Sequence, residues 1–108
     1  PCWFTTAPIT ATQKLLSLIK WSTEEVDLWE VNEAFAVVPM AFMKELKISR
    51  EKINVNGGAC SLGHPIGASG ARILVSLINA LKQRDLKKGV AAICIGGGEA
   101  LAIAIEVD

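Results

Sequence analysis

Apolar residues recur at helical spacing near the beginning of the chain, over residues 5–20. Thr6 and Pro8 are residue types favoured where a helix begins. One face of such a helix would carry the apolar side chains of Leu15, Leu16 and Ile19. The pattern therefore predicts a first amphipathic helix. Ser22 and Glu25 follow it at the spacing of a capping box, which predicts one further helical turn.

The middle of the chain changes from a strand pattern to a helical pattern. Residues 26–31 alternate in the manner of a strand. Asn32 stands where that strand ends, as the expected N-cap of an apolar helix over residues 33–46. Pro39 falls inside this helix, and because proline lacks a backbone N–H we expect a kink or a later start there. Residues 53–55 are predicted to form a short extended piece.

The end of the chain predicts one helix and two strands. A helix over residues 70–84 would bury a stripe made of Ile73, Leu74, Leu77, Ile78 and Leu81. Residues 90–95 form an apolar strand, and residues 99–107 alternate larger apolar residues with alanines. Since three glycines at 96–98 separate them, the two strands are expected to form an antiparallel hairpin with little solvent exposure. The whole order of elements predicts an α/β fold with a mixed sheet, the hairpin lying at one side.

The segment between Asn54 and Arg72 reads NVNGGACSLGHPIGASGAR and contains five of the nine glycines and the only histidine, His64. Glycines at this density indicate a backbone in conformations that side chains would forbid. His64 lies between Gly63 and Pro65, so an imidazole is presented from a loop. The glycine spacing fits neither a phosphate-binding P-loop, nor a dinucleotide fingerprint, nor the nucleophile elbow of a serine hydrolase.

The composition limits the classes of function open to the chain. Its 108 residues are 51% hydrophobic and carry a formal net charge of zero, which fits one domain and gives no support for a nucleic-acid partner. No apolar run has the length of a membrane span, so no membrane partner is expected. The cysteines Cys2, Cys60 and Cys94 have neither metal-ligand spacing nor a disulfide pattern. We therefore expect no metal site, and a reducing compartment.

Three side chains that could take part in proton transfer or hydrogen bonding to a reactant lie at turns or at the ends of predicted strands. Taken singly, each has an ordinary structural interpretation: Asn32 as a helix cap, His64 as a loop residue and Cys94 as a small buried hydrophobe. Three glycines follow Cys94, however, and their backbone N–H groups are of the kind that stabilise an oxyanion. Together the three residues can converge at the strand-end crevice of an α/β sheet, where ligands of such folds bind. The chemistry implied is proton transfer with stabilisation of an enolate or thioester oxygen.

Three sequence blocks resemble the last three signature blocks of the thiolase family, in the same order and at similar spacing. They are NEAF at residues 32–35, the glycine-rich segment at 54–72 and CIGGG at 94–98. The likeness extends from about residue 4 to residue 106 and is strongest to the acetyl-CoA acetyltransferase branch. It implies that residues 1–108 are a partial C-terminal thiolase domain that lacks its first strand, a strand expected to be central to the sheet.

The resemblance implies a role for each of five residues. His64 would help to activate a nucleophilic cysteine and would donate a hydrogen bond to the thioester oxygen. Asn32 would hold a water that completes this oxyanion hole. Cys94 would be the acid and base that removes a proton from the acetyl methyl group and protonates the leaving thiol. The N–H of Gly96 would belong to a second oxyanion hole, and Phe35 would line the acyl pocket.

The resemblance also implies a reaction and its partners. Two acetyl-CoA would be joined reversibly into acetoacetyl-CoA and CoA, with the coenzyme A thioester as substrate and no metal or redox cofactor. The acylated cysteine would lie in an N-terminal half that this sequence lacks, so the chain alone is expected to be inactive. Family members are dimers or tetramers and occur in the cytosol and the mitochondrial matrix, which makes a homodimer or homotetramer in either compartment the expectation for the whole enzyme.

Two other classes of function compete with this interpretation. One is a non-enzymatic binding or interaction module built on a thiolase-like scaffold, which would explain the missing nucleophile. The other is a condensing enzyme of the ketoacyl synthase type. Those enzymes use two histidines, whereas this chain has His64 alone, together with Asn32 and Cys94.

Overall fold

The computed structural model describes residues 7–64, 67–95 and 99–108. In that part of the chain the structure forms an α/β fold, as predicted. The helices are α1 (Ala7–Ile19), α2 (Val37–Leu46), α3 (Ala59–Leu62) and α4 (Ser69–Gln83), with single 3-10 turns at Thr23–Glu25 and Arg50–Lys52. The strands are β1 (Leu28–Val31), β2 (Lys88–Ile95) and β3 (Glu99–Glu106). None of the helices in the described residues is long and apolar enough to cross a membrane.

The three strands form one mixed sheet in the order β1-β2-β3. β1 runs parallel to β2, with Leu28 opposite Gly89 and Val31 opposite Ala92. β2 and β3 are antiparallel over their full length, which confirms the predicted hairpin; the glycines that join them lie outside the described residues. The extended piece predicted at residues 53–55 is reduced to a single parallel bridge between Ile53 and Trp29.

Helices cover both faces of the sheet. α1 packs on β2 and β3, while α4 packs on β1 and β2 on the other face. The first side is centred on Trp29 and Phe42, whose rings meet edge to face at 5.6 Å between centroids. The second side is centred on Leu77, which is fully buried. Because both faces are covered, every residue of β1 is buried, whatever its polarity.

The predicted start of the second helix is wrong. The helix begins at Val37 rather than at residue 33, so Asn32 is not its N-cap. The alternative expectation, a later start because of Pro39, is confirmed. Pro39 is the third residue of α2, where the backbone N–H would have no acceptor within the helix and its absence costs little.

One expectation about the sheet is also wrong. β3 was expected to be shielded, but Leu101 and Ile103 are 53% and 38% exposed because α4 covers β1 and β2 rather than β3. Within this chain the three strands pair with one another consecutively. The central position expected for a strand outside these residues stays a prediction.

Candidate active site

Asn32 is the first of the candidate residues at the carboxyl end of the sheet. It follows β1 directly, and its backbone N–H donates to the carbonyl of Ala92 on β2 at 2.9 Å. Its side chain is fully buried, yet neither Oδ1 nor Nδ2 has a hydrogen-bond partner among the described residues. A buried amide left in this state costs about 1–3 kcal/mol. The Asn32 amide is therefore a candidate for holding a bound molecule.

Cys94 lies close to the carboxyl end of β2, two residues beyond Ala92. It is 7% exposed and packs with the Trp29 side of the core. Burial raises the pKa of the Cys94 thiol above its usual value, so the thiol keeps its proton at neutral pH. In this state Cys94 can donate a proton, and it can accept one only after it has lost its own.

His64 is presented from the end of α3. The helix ends at Leu62, and the next residue, Gly63, has a φ of +95°, a conformation that residues with a side chain rarely adopt. The His64 side chain is exposed, and its Nδ1 is hydrogen-bonded to the hydroxyl of Ser69, the buried first residue of α4. Because Nδ1 is occupied, Nε2 is the ring nitrogen available to a reactant.

A pair of polar residues that sequence reasoning missed holds the loop in front of His64. Asn54 accepts the N–H of Val31 on Oδ1 and donates from Nδ2 to the carbonyl of Val31, both at 2.8 Å. The same Nδ2 donates to Oε2 of Glu33 at 2.9 Å, and Oε1 of Glu33 accepts the N–H of Cys60 at 3.0 Å. The signal that could have found them was an asparagine three residues before two glycines, with a glutamate next to the candidate Asn32. Ser69 was missed as well, although a serine at a helix start five residues after a histidine is within reach of its ring.

The structure brings two of the five predicted site residues to one edge of the sheet. Asn32 and Cys94 lie at the carboxyl ends of neighbouring parallel strands, and His64 comes from the loop before α4. No hydrogen bond among the described residues joins these three side chains to one another. Phe35 lies in the turn before α2 and is 63% exposed, and Gly96 falls outside the described residues. The roles assigned to all five residues remain predictions.

An open groove of about 740 Å³ lies beside the same loop. It is lined by Met40 and Met43 of α2 and by Glu33, Gly58 and Cys60, among other residues. None of the residues Asn32, His64 and Cys94 lines it. The groove gives solvent access to the Glu33 side of the loop.

A buried carboxyl group lies below this edge, on the α4 face. Glu30 of β1 is 2% exposed, and its nearest cation is Arg72 of α4, with 3.9 Å between Nη1 and Oε1. Burial raises the pKa of Glu30 to about 7; the distant Arg72 opposes this effect only in part, and Glu33 adds to it. The separation explains the weak opposition, since Oε1 of Glu30 and two nitrogens of Arg72 have no hydrogen-bond partner among the described residues.

The Glu30 carboxyl group is expected to make the stability of the chain depend on pH. The folded state holds a proton up to about pH 7, whereas an unfolded glutamate loses it near 4.5. The protonated Glu30 therefore stabilises the fold most below about pH 4.5. This stabilisation decreases as the pH rises to 7 and is constant above that. The free energy of unfolding falls by about 3 kcal/mol in total over this range. Urea unfolding of the wild type and of Glu30→Gln at pH 5 and pH 8 measures it.

The comparison between the wild type and Glu30→Gln isolates the effect of this carboxyl group from that of other carboxylates. Glu30→Gln does not titrate, so its stability relative to the wild type should improve by most of that amount between pH 5 and pH 8. Glu45→Gln, at an exposed position of α2, is the matched control and should show no such change. An equal pH dependence in all three proteins would contradict the expectation.

Comparison with known proteins agrees with the fold and with the sequence blocks. A sequence model of the thiolase C-terminal domain matches residues 1–107. The acetyl-CoA acetyltransferase of Chromobacterium violaceum is 52% identical over 99 residues, which cover 92% of this chain and 25% of that protein. The crystal structure of the Bacillus anthracis acetyl-CoA acetyltransferase superposes with a TM-score of 0.92 at 52% identity, over 95% of this chain and 26% of that one. The Acat5 thiolase of Ascaris suum, solved in complex with coenzyme A, gives a TM-score of 0.89 at 54% identity, with the same coverage of both chains.

The α/β fold and the sequence thus recur in enzymes of one class. The chain belongs to the thiolase family, and the stretch that it matches is the C-terminal domain. It spans about a quarter of the length of the relatives described above.

Proposed function

We propose that the chain supplies the acid–base part of the active site of an acetyl-CoA acetyltransferase. The whole enzyme would condense two acetyl-CoA into acetoacetyl-CoA and CoA, and would run the thiolytic reverse. The observation that carries the proposal is the fully buried amide of Asn32, which has no hydrogen-bond partner among the described residues and lies next to the strand that carries Cys94. The names of the relatives support the choice of acetyl-CoA as substrate.

The proposed reaction has two chemical requirements that these residues can meet. A proton must be removed from the carbon next to a thioester, and the negative charge that develops on the oxygen must be stabilised. Cys94 is proposed to give its proton to the leaving thiolate of coenzyme A and, as the resulting thiolate, to remove the proton from the acetyl carbon. Nε2 of His64 is proposed to donate a hydrogen bond to the oxygen. Asn32 would hold a water molecule at the same oxygen, which would also satisfy its buried amide. Neither a metal nor a redox cofactor is needed for these steps.

The proposed route also needs a nucleophile to carry the acetyl group. That cysteine is proposed to come from a part of the enzyme outside these 108 residues, since the relatives are about four times as long. The purified chain is therefore expected to show no thiolysis of acetoacetyl-CoA. Steady-state turnover by the chain alone would show that the nucleophile has been placed wrongly.

A chimera tests the function directly. The matching segment of the Bacillus anthracis enzyme is replaced by this chain, which the TM-score of 0.92 makes structurally compatible. The chimera is expected to catalyse thiolysis of acetoacetyl-CoA, followed through the loss of its absorbance. A chimera that folds and assembles like the parent enzyme but is inactive would favour the alternative, a non-enzymatic binding module on a thiolase-like scaffold.

A further inference from the structure

Glu33 joins the two segments that carry the candidate residues. It is the residue directly after Asn32, and its carboxylate receives hydrogen bonds from the side chain of Asn54 and from the backbone of Cys60. Asn54 in turn holds the N–H and the carbonyl of Val31, the residue directly before Asn32. One carboxylate therefore connects the end of β1 to the loop that leads to His64.

The carboxylate lies directly against the backbone of the loop. A Cβ added to Gly58 would be 2.4 Å from Cδ of Glu33, so only glycine allows this approach. The contact at Cys60 falls in the first turn of α3, and α3 ends at Leu62, two residues before His64. On the other side of His64, Ser69 holds its Nδ1. His64 thus lies between two hydrogen-bonded positions, the backbone of Cys60, which Glu33 holds, and Ser69.

We propose that Glu33 is a positioning residue that fixes the orientation of His64 relative to Asn32. This role rests on the proposed function, in which both residues act on one thioester oxygen. Two acceptor oxygens are required, because two N–H donors converge on the side chain. The Asn54 amide cannot rotate to present its oxygen to Glu33 instead of its nitrogen, because Val31 is hydrogen-bonded to both atoms.

Glu33→Gln tests the proposal in the 108-residue chain. Glutamine offers one acceptor and one donor in place of two acceptors, so the Cys60 N–H is expected to lose its partner. Its hydrogen exchange should become about tenfold faster or more, since the bond lost is to a charged group. The ring ¹⁵N resonances of His64 should move, while the methyl resonances of Ile73 and Leu77 in the core should stay in place.

Two further variants separate positioning from general destabilisation. Glu51→Gln is the matched control, because Glu51 is exposed on the same groove and its side chain makes no hydrogen bond among the described residues. It should leave His64 and Cys60 as in the wild type. Glu33→Asp keeps both acceptor oxygens but withdraws them by one methylene, so a smaller shift of the same His64 resonances is expected. If Glu33→Gln does not fold, the same measurements are made on Glu33→Asp.

The outcome is independent of catalysis, because no coenzyme A thioester is present in these measurements. Unchanged His64 resonances and unchanged Cys60 exchange in a folded Glu33 variant would overturn the positioning role, even if the chimera is active. An inactive chimera together with shifted His64 resonances would overturn the proposed function and leave the link between Glu33 and His64 standing.

Discussion

Cys94→Ala in the chimera is expected to lower kcat for acetoacetyl-CoA thiolysis by about 10²–10⁴-fold, the range that a positioned acid–base group contributes. The reason is chemical rather than structural. The thiol is buried and keeps its proton at neutral pH, so it can protonate a carbon or a leaving thiolate, and alanine removes that proton while keeping most of the packing. His64→Ala and Asn32→Ala are expected to lose about 10²–10³-fold, as loss of a group at a developing oxyanion does.

A packing control distinguishes lost chemistry from a loosened core. Val90→Ala truncates a fully buried side chain on the same strand and in the same core cluster as Cys94, but it removes no reactive group. It should lower the midpoint of urea unfolding and leave kcat close to that of the chimera. Equal losses of kcat in the Val90 and Cys94 variants would show that Cys94 acts through packing alone. Stability measured in parallel for each variant completes the comparison.

Local patterns predicted those parts of the fold whose causes are local. The stripe at residues 70–84 became α4 because its apolar spacing matches one helical face, and the strand at 90–95 became β2 because it is apolar throughout. The start of α2 could not be predicted from the local pattern. Asn32 looks like a cap because asparagine favours that position, but its backbone N–H pairs with Ala92, sixty residues further along the chain.

The candidate site shows the same difference between local and long-range causes. Motifs drew attention to Asn32, His64 and Cys94 because of their residue types and neighbours. The residues that hold them were missed because their contacts join distant parts of the sequence: Glu33 meets Asn54 and Cys60 across 21 and 27 positions. Nor could spacing show that Asn32 has no hydrogen-bond partner among the described residues, which is visible only once the strands are paired.

The order of helices and strands along the chain predicts the strand order of the sheet less well than the pairing register does. A sequence of helices and strands fits several strand orders. The pairing of Val31 with Ala92, and of Ala92 with Ala102, selects one of them for this chain, with β2 between β1 and β3. The exposed apolar residues of β3 were unforeseen for the same reason: alternation shows which residues share a face, but not whether a helix covers that face.

Asn54→Ala is expected to lower the free energy of unfolding of the chain by about 3–5 kcal/mol, since each buried partner left without a hydrogen bond costs about 1–3 kcal/mol. The substitution removes both bonds to the backbone of Val31 and the bond to Glu33. The residue also has a φ of +47°, which asparagine tolerates better than alanine does. Urea unfolding followed by circular dichroism measures the loss.

Asn54→Gly separates the side-chain contacts from the backbone conformation. Glycine accepts a positive φ without strain, so it loses only the three hydrogen bonds, and it should recover a minor part of the alanine deficit. Asn56→Ala is the matched control: the same change two residues away, at an exposed position, should cost less than about 0.5 kcal/mol. If Asn54→Ala costs no more than this control, the link between β1 and the glycine-rich loop contributes nothing to stability. The fixed placement of His64 would then have to come from Ser69 alone, because Asn54 is the residue that anchors Glu33 to the strand.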